Sequence, residues 1–294
     1  MSVVSSVRSF ARTFTERVGA LDDAFLGQQR PLGQARLLWE IGAAERPVEV
    51  GSIRRRLGLD SGYLSRLLRA LESDGLLDVS AGEKDRRARV ARLTAAGRAE
   101  WRELDRRSDE RAELVLGRLD DRRRDELTEL LRRAEQLILA GAARFEEVDP
   151  RDPDAVASVT AYFTELDERF VGGFHDWDAV AADAPGFDPP DGLFVLVRCG
   201  DDVAGCGGVQ TIEAGVGEIK RMWIHPAWRG VGLAPRLLTH LESVVAHLRH
   251  HTVRLDTNAV LNEAIRMYER AGYSSIDRYN DNPYAERWFE KRIS

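Results

Sequence analysis

Cysteine and long apolar runs are what this sequence has least of. Its 294 residues include only two cysteines, Cys199 and Cys206. Both lie in apolar stretches, a placement typical of packed thiols and not of a disulfide framework or a metal site. Unpaired thiols of this kind favour a reducing compartment, so we expect a cytoplasmic protein with no structural metal.

No apolar run approaches the roughly 18 residues that a membrane-spanning helix requires. The first residues, MSVVSSVRSFARTFTERV, alternate charged and apolar side chains instead of forming the apolar core of a signal peptide. This alternation predicts an amphipathic helix and no membrane partner. We find no internal repeat and no low-complexity tract, which argues against a solenoid or a disordered chain.

The acidic total conceals two halves of opposite charge. The net charge is −6, yet residues 1–144 carry 28 basic against 24 acidic side chains, and the remainder carries 15 against 25. A basic first half can bind nucleic acid locally. Helical spacing dominates up to about residue 143, and strand-like runs appear only afterwards. Together with the length, this predicts two domains, residues 1–143 and 145–294.

Residues 47–79 have the pattern of a helix-turn-helix. Apolar stripes mark two short helices, Gly58 ends the first, and Asp60 or Ser61 can cap the second. The second helix carries polar side chains off its apolar face, in position to meet the major groove of DNA: Ser61, Ser65, Arg66 and Arg69. A helical hairpin that binds nothing is the alternative interpretation.

The next segment, LLDVSAGEKDRRARVARLT, predicts two strands around a charged tip, Ala81 to Arg87. With the helix-turn-helix, it resembles the DNA-binding core of the MarR family of bacterial transcription factors, because DRRARVARLT (85–94) fits that family's D-x-R-x-x-x-x-x-L-T wing pattern. The resemblance implies double-stranded DNA as a partner, with Asp85 orienting the wing and Arg87 reaching into the minor groove. Without it, the tip reads as a solvated charged hairpin.

The MarR resemblance also implies an obligate homodimer built from N- and C-terminal helices, and hence a pseudo-palindromic operator. Residues 3–28 supply the predicted N-terminal helix. Two further segments carry long apolar stripes: Trp101, Leu104, Ala112, Val115 and Leu119, then Leu127, Leu130, Leu131, Ala134, Leu137 and Ile138. Such stripes must be buried somewhere. Packing against the chain's own second domain is the alternative to dimerisation.

In the second half, three strand-like runs separated by Gly- or Asp-rich turns predict an antiparallel meander. It leads into HPAWRGVGLAPRL, where glycines allow close backbone approach and the following helix presents free N–H groups to an anion. A dinucleotide-binding turn would need a third spaced glycine, which is lacking. By itself the turn could also be a plain connection.

Two motifs at the right separation resemble the GNAT acetyltransferases. RGVGLA (229–234) matches the family's R/Q-x-x-G-x-G/A signature, and NEAIRMYERAGY (262–273) is similar to its N-x-x-A-x-x-L-Y-E-K-x-G-F helix. The resemblance implies a mixed, mostly antiparallel α+β fold after the all-α-rich winged helix-turn-helix. It also implies acetyl-CoA as the acyl donor, held by Trp223, Ile224, Arg229, Gly230, Val231, Gly232, Leu233, Ala234 and Asn262.

The same resemblance assigns catalytic roles. Tyr268 matches the family tyrosine that acts as the general acid, and a phenol suits return of a proton to a thiolate. Strand alternation places Glu218 on the face that lines the acceptor cleft, where it can act as the base through water. A core tyrosine and a surface ion pair are the alternatives for these two residues.

We therefore expect a DNA-binding regulator that also acetylates a small-molecule amine. Aromatic residues at 162–180 and 279–289 are candidates for the acceptor cleft: Phe170, Phe174, Trp177, Tyr284 and Trp288. They fit an ordinary core equally well. Two other functions remain open, a regulator whose second domain only senses acetyl-CoA or a ligand, and a protein acetyltransferase.

Overall fold

The computed structural model describes residues 2–20, 25–27, 30–44, 46–82, 88–117, 119–178 and 182–293. Its contacts divide the chain into two compact units, Met1–Thr128 and Glu129–Ser294. The division falls inside a helix, upstream of the predicted boundary at residues 143–145. The reason is that the second half of this helix packs within the second unit, as shown below.

The first unit is helical with one small sheet. Its helices are α1 (Val3–Arg17), α2 (Leu32–Gly42), α3 (Val50–Leu57), α4 (Ser61–Ser73), α5 (Ala95–Leu116) and the start of α6 (Asp121–Gly141). The strands β1 (Val48–Glu49), β2 (Leu77–Ala81) and β3 (Arg89–Leu93) form an antiparallel sheet with β3 in the centre. This is the winged helix-turn-helix that the sequence predicts.

Local signals set the angle between α3 and α4. Gly58 ends α3 in the left-handed region, at φ +61°, which glycine adopts without strain. Asp60 then caps α4 by accepting hydrogen bonds from the backbone N–H groups of Gly62 and Tyr63, at 2.9 and 3.0 Å. These bonds hold the pKa of the Asp60 carboxyl below its usual range. The core beneath is formed by leucines of α2 and α4: Leu37, Leu38, Leu64, Leu67, Leu68 and Leu71.

Helix α1 buries none of its own residues. It ends at Arg17, earlier than the predicted end at residue 28, because Gly19 follows in the left-handed region at φ +70°. Isolated helices of about 12–15 residues are only marginally stable in water. Among the residues that the structure describes, the helix therefore lacks the packing that usually stabilises a helix of this length.

The second unit is built around a seven-stranded sheet in the order β4-β5-β6-β7-β8-β10-β9. The strands are β4 (Arg144–Val148), β5 (Gly192–Cys199), β6 (Asp202–Glu213), β7 (Val216–Ile224), β8 (Thr252–Thr257), β9 (Ser274–Ile276) and β10 (Arg287–Arg292). The helices are the end of α6, α7 (Pro153–Arg169), α8 (Leu233–His247) and α9 (Asn262–Arg270). The sheet is mixed and mostly antiparallel, as the sequence predicts.

The parallel pair β7 and β8 separates along its length. The ladder joins Val216–Glu218 to Thr252–Arg254 and stops there, although β7 continues to Ile224 and β8 to Thr257. Each strand stays paired on its other side, with β6 and β10 respectively. The facing edges therefore diverge and leave a wedge in the middle of the sheet.

No helix within the described ranges combines the length and the apolar character that crossing a membrane demands. The two cysteines are free and buried, Cys199 on β5 and Cys206 on β6, as expected for packed thiols.

Candidate functional site

The glycine-rich turn connects β7 to α8 at the open end of the wedge. Gly230 and Gly232 both adopt left-handed conformations, at φ +71° and +83°. A Cβ on Gly232 would meet nothing within 4 Å, so the conformation and not crowding requires glycine there. Leu233 anchors the turn in the core, where it is 1% exposed. Val231 and Ala234 pack against the same core.

The start of α8 offers unpaired donors. Gly232 is its N-cap residue and makes no side-chain capping bond. The first N–H groups of a helix have no partner within the helix, and the helix dipole makes this end favourable for an anion. The turn and the open space beside it fit the pyrophosphate of a coenzyme A molecule, whose negative charge needs such donors.

The inner edge of β7 lies beside this turn. Beyond Glu218, the backbone groups of β7 that face β8 have no ladder partner. Free strand-edge amides can pair with an extended ligand that carries amide groups of its own. Trp223 and Ile224 lie on this stretch, and the Ile224 carbonyl accepts a hydrogen bond from Arg229 Nε at 3.0 Å.

Arg229 and Trp223 converge on one carboxylate of α7. Trp223 Nε1 donates to Glu165 Oε2 at 2.8 Å, and the Arg229 guanidinium pairs with the same oxygen. Although burial works against the charge, these hydrogen bonds hold the pKa of Glu165 below its usual range. Glu165 thus fixes both the strand end and the first residue of the turn.

Tyr268 lies on α9 and is 6% exposed. Its ring packs against Phe289 and Tyr273, with centroids 6.0 and 5.9 Å apart. Burial, followed by the charges of Tyr162 and Asp256, raises the pKa of its hydroxyl. The phenol therefore keeps its proton at neutral pH, which is the form a general acid needs.

Tyr162 on α7 is a phenol that the sequence analysis did not single out. Burial raises the pKa of its hydroxyl to about 12, against a smaller opposing effect of the Arg221 charge. The signal for it was only its position in an aromatic segment before the meander.

Glu218 is 2% exposed, at the point where β7 and β8 part. Its carboxylate accepts hydrogen bonds from Gln210 Nε2 at 2.6 Å, Tyr279 Oη at 2.8 Å and Asn280 Nδ2 at 3.1 Å. Lys220 Nζ lies 3.6 Å away. A carboxylate offers about four acceptor positions, so about one is left for a further donor.

Asn280 joins Glu218 to a second carboxylate. Its Nδ2 also donates to Asp256 Oδ2 at 2.5 Å, and Asn282 Nδ2 donates to the other oxygen of Asp256 at 3.0 Å. The C-terminal segment thus bridges β7 and β8 near the point where they part and fixes an acidic pair. The sequence analysis noted this segment for its aromatic residues and missed its amides.

Four of the five predicted aromatic cleft residues meet. Phe174 stacks near Tyr284 at 4.7 Å between centroids, with Phe170 and Trp177 at 6.2 and 6.5 Å from Phe174. Phe174 is buried, whereas Trp177 is 41% exposed. Trp288 lies apart from this cluster and donates from Nε1 to Asn280 Oδ1 at 3.0 Å. Asn262, at the start of α9, donates to the Val260 carbonyl at 3.4 Å.

In the first unit, α4 presents the predicted polar face. Its leucines are buried, while Ser61, Arg66 and Arg69 are exposed and Ser65 is half-buried. Tyr63, which the sequence analysis did not single out, is 39% exposed, and the Arg66 guanidinium lies 5.7 Å from its ring centroid. Buried Glu40 of α2 pairs with Arg56 at 2.5 Å and so ties α3 to α2.

The predicted wing residues Asp85 and Arg87 lie outside the described residues. The strands on both sides of them are described and pair in register from Leu77–Leu93 to Ala81–Arg89. The two paired strands that flank the predicted wing tip are therefore present, and the roles of these two residues stay predictions.

Comparison with known proteins identifies both parts of the chain. The family model for the GNAT acetyltransferases matches residues 159–273, and a MarR family model matches residues 29–88. The chain is 30% identical over 129 residues to an IAA acetyltransferase of Azospirillum brasilense, which covers 43% of this chain and 82% of that protein. It is 31% identical over 94 residues to the uncharacterized N-acetyltransferase YjgM of Escherichia coli, 31% of this chain and 56% of that one.

Solved structures of acetyltransferases align with part of the chain. A GNAT-family acetyltransferase from Staphylococcus aureus aligns with a TM-score of 0.46 at 13% identity, over 52% of this chain and 99% of that one. An aminoglycoside 6′-acetyltransferase type Ii aligns with a TM-score of 0.41 at 18% identity, over 51% and 96%. The chain belongs to the GNAT family of acetyltransferases, is an acyltransferase, and carries a MarR-family domain in the same polypeptide.

Proposed function

We propose that the protein acetylates a small-molecule amine with acetyl-CoA and that its MarR domain binds operator DNA as a homodimer. The wedge between β7 and β8 carries the first part of this proposal. It adjoins a turn suited to pyrophosphate and is flanked by an acidic pair, of which Asp256 adds to the effect of burial in raising the pKa of the Tyr268 hydroxyl.

The acyl donor is held by backbone groups. N–H groups of Gly230 through Ala234 bind its pyrophosphate, and the free edge of β7 at Trp223 and Ile224 pairs with its pantetheine arm. Asn262 supports the cofactor from the start of α9. Bound there, acetyl-CoA supplies an activated acetyl group as a thioester.

The transfer then requires one proton to be added to the leaving sulfur and one to be removed from the attacking amine. Tyr268 holds its proton at neutral pH because burial disfavours the phenolate, and it gives this proton to the leaving sulfur. Glu218 takes the proton of the attacking amine through one water molecule, which occupies the remaining acceptor position of the carboxylate.

The acidic pair favours a cationic amine as the acceptor. Glu218 and Asp256 are linked through Asn280, and opposite charge attracts a protonated amine to this side of the wedge. The aromatic cluster around Phe174 and Tyr284 provides an apolar wall. These features support a small amine with an apolar body as the acceptor. Trp177 is the most exposed side chain of the aromatic cluster.

The test is release of free thiol from acetyl-CoA across a panel of small amines that includes amino acids and aminoglycosides. We expect turnover with a subset of the panel and a mass increase of one acetyl group on that amine. Binding of acetyl-CoA without thiol release from any amine would show a sensor. Acetylated lysines or N-termini in a treated lysate, with no turnover of the panel, would show a protein acetyltransferase.

The regulatory part of the proposal rests on α4. Its exposed Ser61, Arg66 and Arg69, with Ser65 beside them, read the major groove, while Asp85 and Arg87 serve the wing. Half-sites of the operator lie about one helical turn apart, because the two recognition helices of a symmetric dimer meet successive major grooves.

Replacing Arg66 by alanine is expected to weaken operator binding by about 1–3 kcal/mol. Its guanidinium is exposed on the polar face of α4 and is available for a base or a phosphate. The measurement is a fluorescence anisotropy titration on an operator selected by the wild-type protein from random-sequence DNA. Arg102→Ala, at an exposed arginine of α5, is the control. Equal affinities for the two variants would contradict the placement of α4 in the groove.

The homodimer part rests on exposed apolar faces. Val3, Val7, Phe10 and Phe14 form one stripe of α1 and are each at least 41% exposed. On α6, Leu130, Leu137 and Ile138 are at least 50% exposed. By contrast, Leu104 of the predicted stripe is buried in the first unit and Trp101 packs on the helix-turn-helix core, so these two serve the fold.

A further inference from the structure

Helix α6 contacts the turn that is proposed to hold coenzyme A. Arg133 donates from Nη2 to the carbonyl oxygen of Gly230 at 2.7 Å, and Gln136 donates from Nε2 to the carbonyl oxygen of Ala227 at 2.8 Å. Both contacts lie within the second unit. Neither residue belongs to the segment 159–273 that matches the acetyltransferase family.

The residues of α6 that make these contacts lie on one face of the helix. Arg133, Gln136 and Ala140 recur at three- and four-residue intervals, which places them on one side of a helix. Arg133 and Gln136 are half-buried, and Ala140 is 1% exposed. Arg236 of α8 also binds the Ala140 carbonyl, so the end of α6 is attached to both sides of the turn.

The Arg133 contact fixes a peptide plane inside the turn. The carbonyl of Gly230 and the N–H of Val231 belong to one planar trans peptide, so they point in opposite directions. When Arg133 holds the carbonyl on the α6 side, the Val231 N–H is directed to the other side. That N–H is one of the proposed pyrophosphate donors. The guanidinium also adds positive charge beside the turn, which favours an anion.

Gln136 supports the segment that precedes the glycine-rich turn. Its bond to the Ala227 carbonyl holds the short helical turn Pro226–Trp228, which leads into the glycine-rich segment. Gly232, by contrast, has no neighbour that a Cβ would meet. Two glycines with left-handed conformations make a turn that would otherwise sample several backbone states. An outside support is therefore needed to keep the donors aligned.

We propose that Arg133 and Gln136 are positioning residues of the coenzyme A site, so that α6 forms part of an acyl-donor site reaching beyond the family's own segment. This inference rests on the proposed function, because it takes the turn to be the place where coenzyme A binds. It concerns the phosphate end of the ligand and predicts no role for α6 at the acceptor.

The experiment measures binding of unacetylated coenzyme A to the full chain by isothermal titration calorimetry. Arg133→Ala is expected to raise the Kd about tenfold, and Arg133→Lys to recover part of the loss because it keeps the charge. Gln136→Ala is expected to raise it by a smaller factor. The matched control is Arg132→Ala, whose arginine lies one residue away, is 53% exposed and pairs with Glu129.

A truncated acyl donor distinguishes misplaced phosphate-binding N–H groups from general damage to the enzyme. S-acetylpantetheine lacks the phosphates, so its KM in thiol release is expected to be the same for Arg133→Ala and the wild-type protein, with kcat unchanged for both donors. The inference is overturned if Arg133→Ala and Arg132→Ala bind coenzyme A equally, or if S-acetylpantetheine suffers the same loss. If the wild-type protein binds coenzyme A but releases no thiol, the proposed enzyme fails while the calorimetric result still decides this inference.

Discussion

Replacing Tyr268 by phenylalanine is expected to lower kcat for thiol release roughly 100- to 10,000-fold, the range typical of a lost general acid. The change removes only the hydroxyl, because the phenylalanine ring keeps the packing against Phe289 and Tyr273. The Kd for coenzyme A, measured by calorimetry, should stay within about twofold of the wild-type value, since the proposed pyrophosphate and pantetheine contacts are backbone groups of the glycine-rich turn and β7 and the change leaves Asn262 in place.

The control for this variant is Tyr273→Phe, which removes a hydroxyl from a neighbouring buried ring. Tyr273 is not assigned to the reaction, so its loss is expected to leave kcat within about twofold, as for a residue outside the transition state. Equal kcat values for the two variants would contradict the acid role of Tyr268.

The pH profile gives an independent check on the same residue. A raised folded-state pKa means that the proton is held to higher pH, so the acid stays in its active form through the neutral and mildly alkaline range. The kcat of the wild-type enzyme should therefore show no fall below about pH 10, the ordinary value of a tyrosine. A fall near pH 8 would assign the acid to another group.

What the sequence predicts well are features set by neighbours in the chain. Gly58 and Asp60 fix the turn of the helix-turn-helix because a left-handed glycine and a side-chain cap act within a few residues. The same holds for Asp152, which caps α7 by accepting from the Asp154 N–H at 2.8 Å. The glycine-rich turn belongs to this class, since its conformation and the start of α8 are local.

The parts of the site that the sequence analysis missed depend on residues far apart in the chain. Asn280 links two carboxylates only because the C-terminal segment bridges β7 and β8 near the point where they part. Glu165 binds Trp223 and Arg229 across more than fifty residues, and Arg133 binds Gly230 across 97. No periodicity or spacing rule connects such positions. The separation of β7 from β8 is likewise a property of pairing, which a single strand does not reveal.

Helix α1 illustrates a third case, in which the local structure is predicted and its packing is left open. The amphipathic pattern gives the helix, and Val3, Val7, Phe10 and Phe14 repeat at four- and three-residue intervals like the seam of a coiled coil. Yet no residue of the helix is buried in one chain. In the proposed homodimer, a second copy that packs along this seam supplies the missing burial.

Replacing Phe10 by glutamate is therefore expected to abolish the homodimer and to weaken operator binding roughly 100- to 10,000-fold. The size follows from the loss of bivalent attachment, because one recognition helix then meets one half-site without the high effective concentration of the second. Phe10 is 53% exposed in one chain, so the change leaves the fold of each unit intact and acts on the assembly. Light scattering should give the mass of one chain, 33.0 kDa, and anisotropy should give the operator affinity.

The matched control for this prediction is Ser9→Glu, which adds the same charge one residue away from the apolar stripe on the same exposed helix. It should keep both the dimer mass and the operator affinity, because Ser9 lies off the apolar stripe. Both variants add one negative charge, so electrostatic repulsion from DNA is equal in the two and cannot explain a difference between them. A monomeric Phe10→Glu protein that still binds the operator with wild-type affinity would contradict the two-half-site model. A dimeric Phe10→Glu protein would move the interface from α1 to another face, and Ile138 of α6, 71% exposed, would be the next position to change.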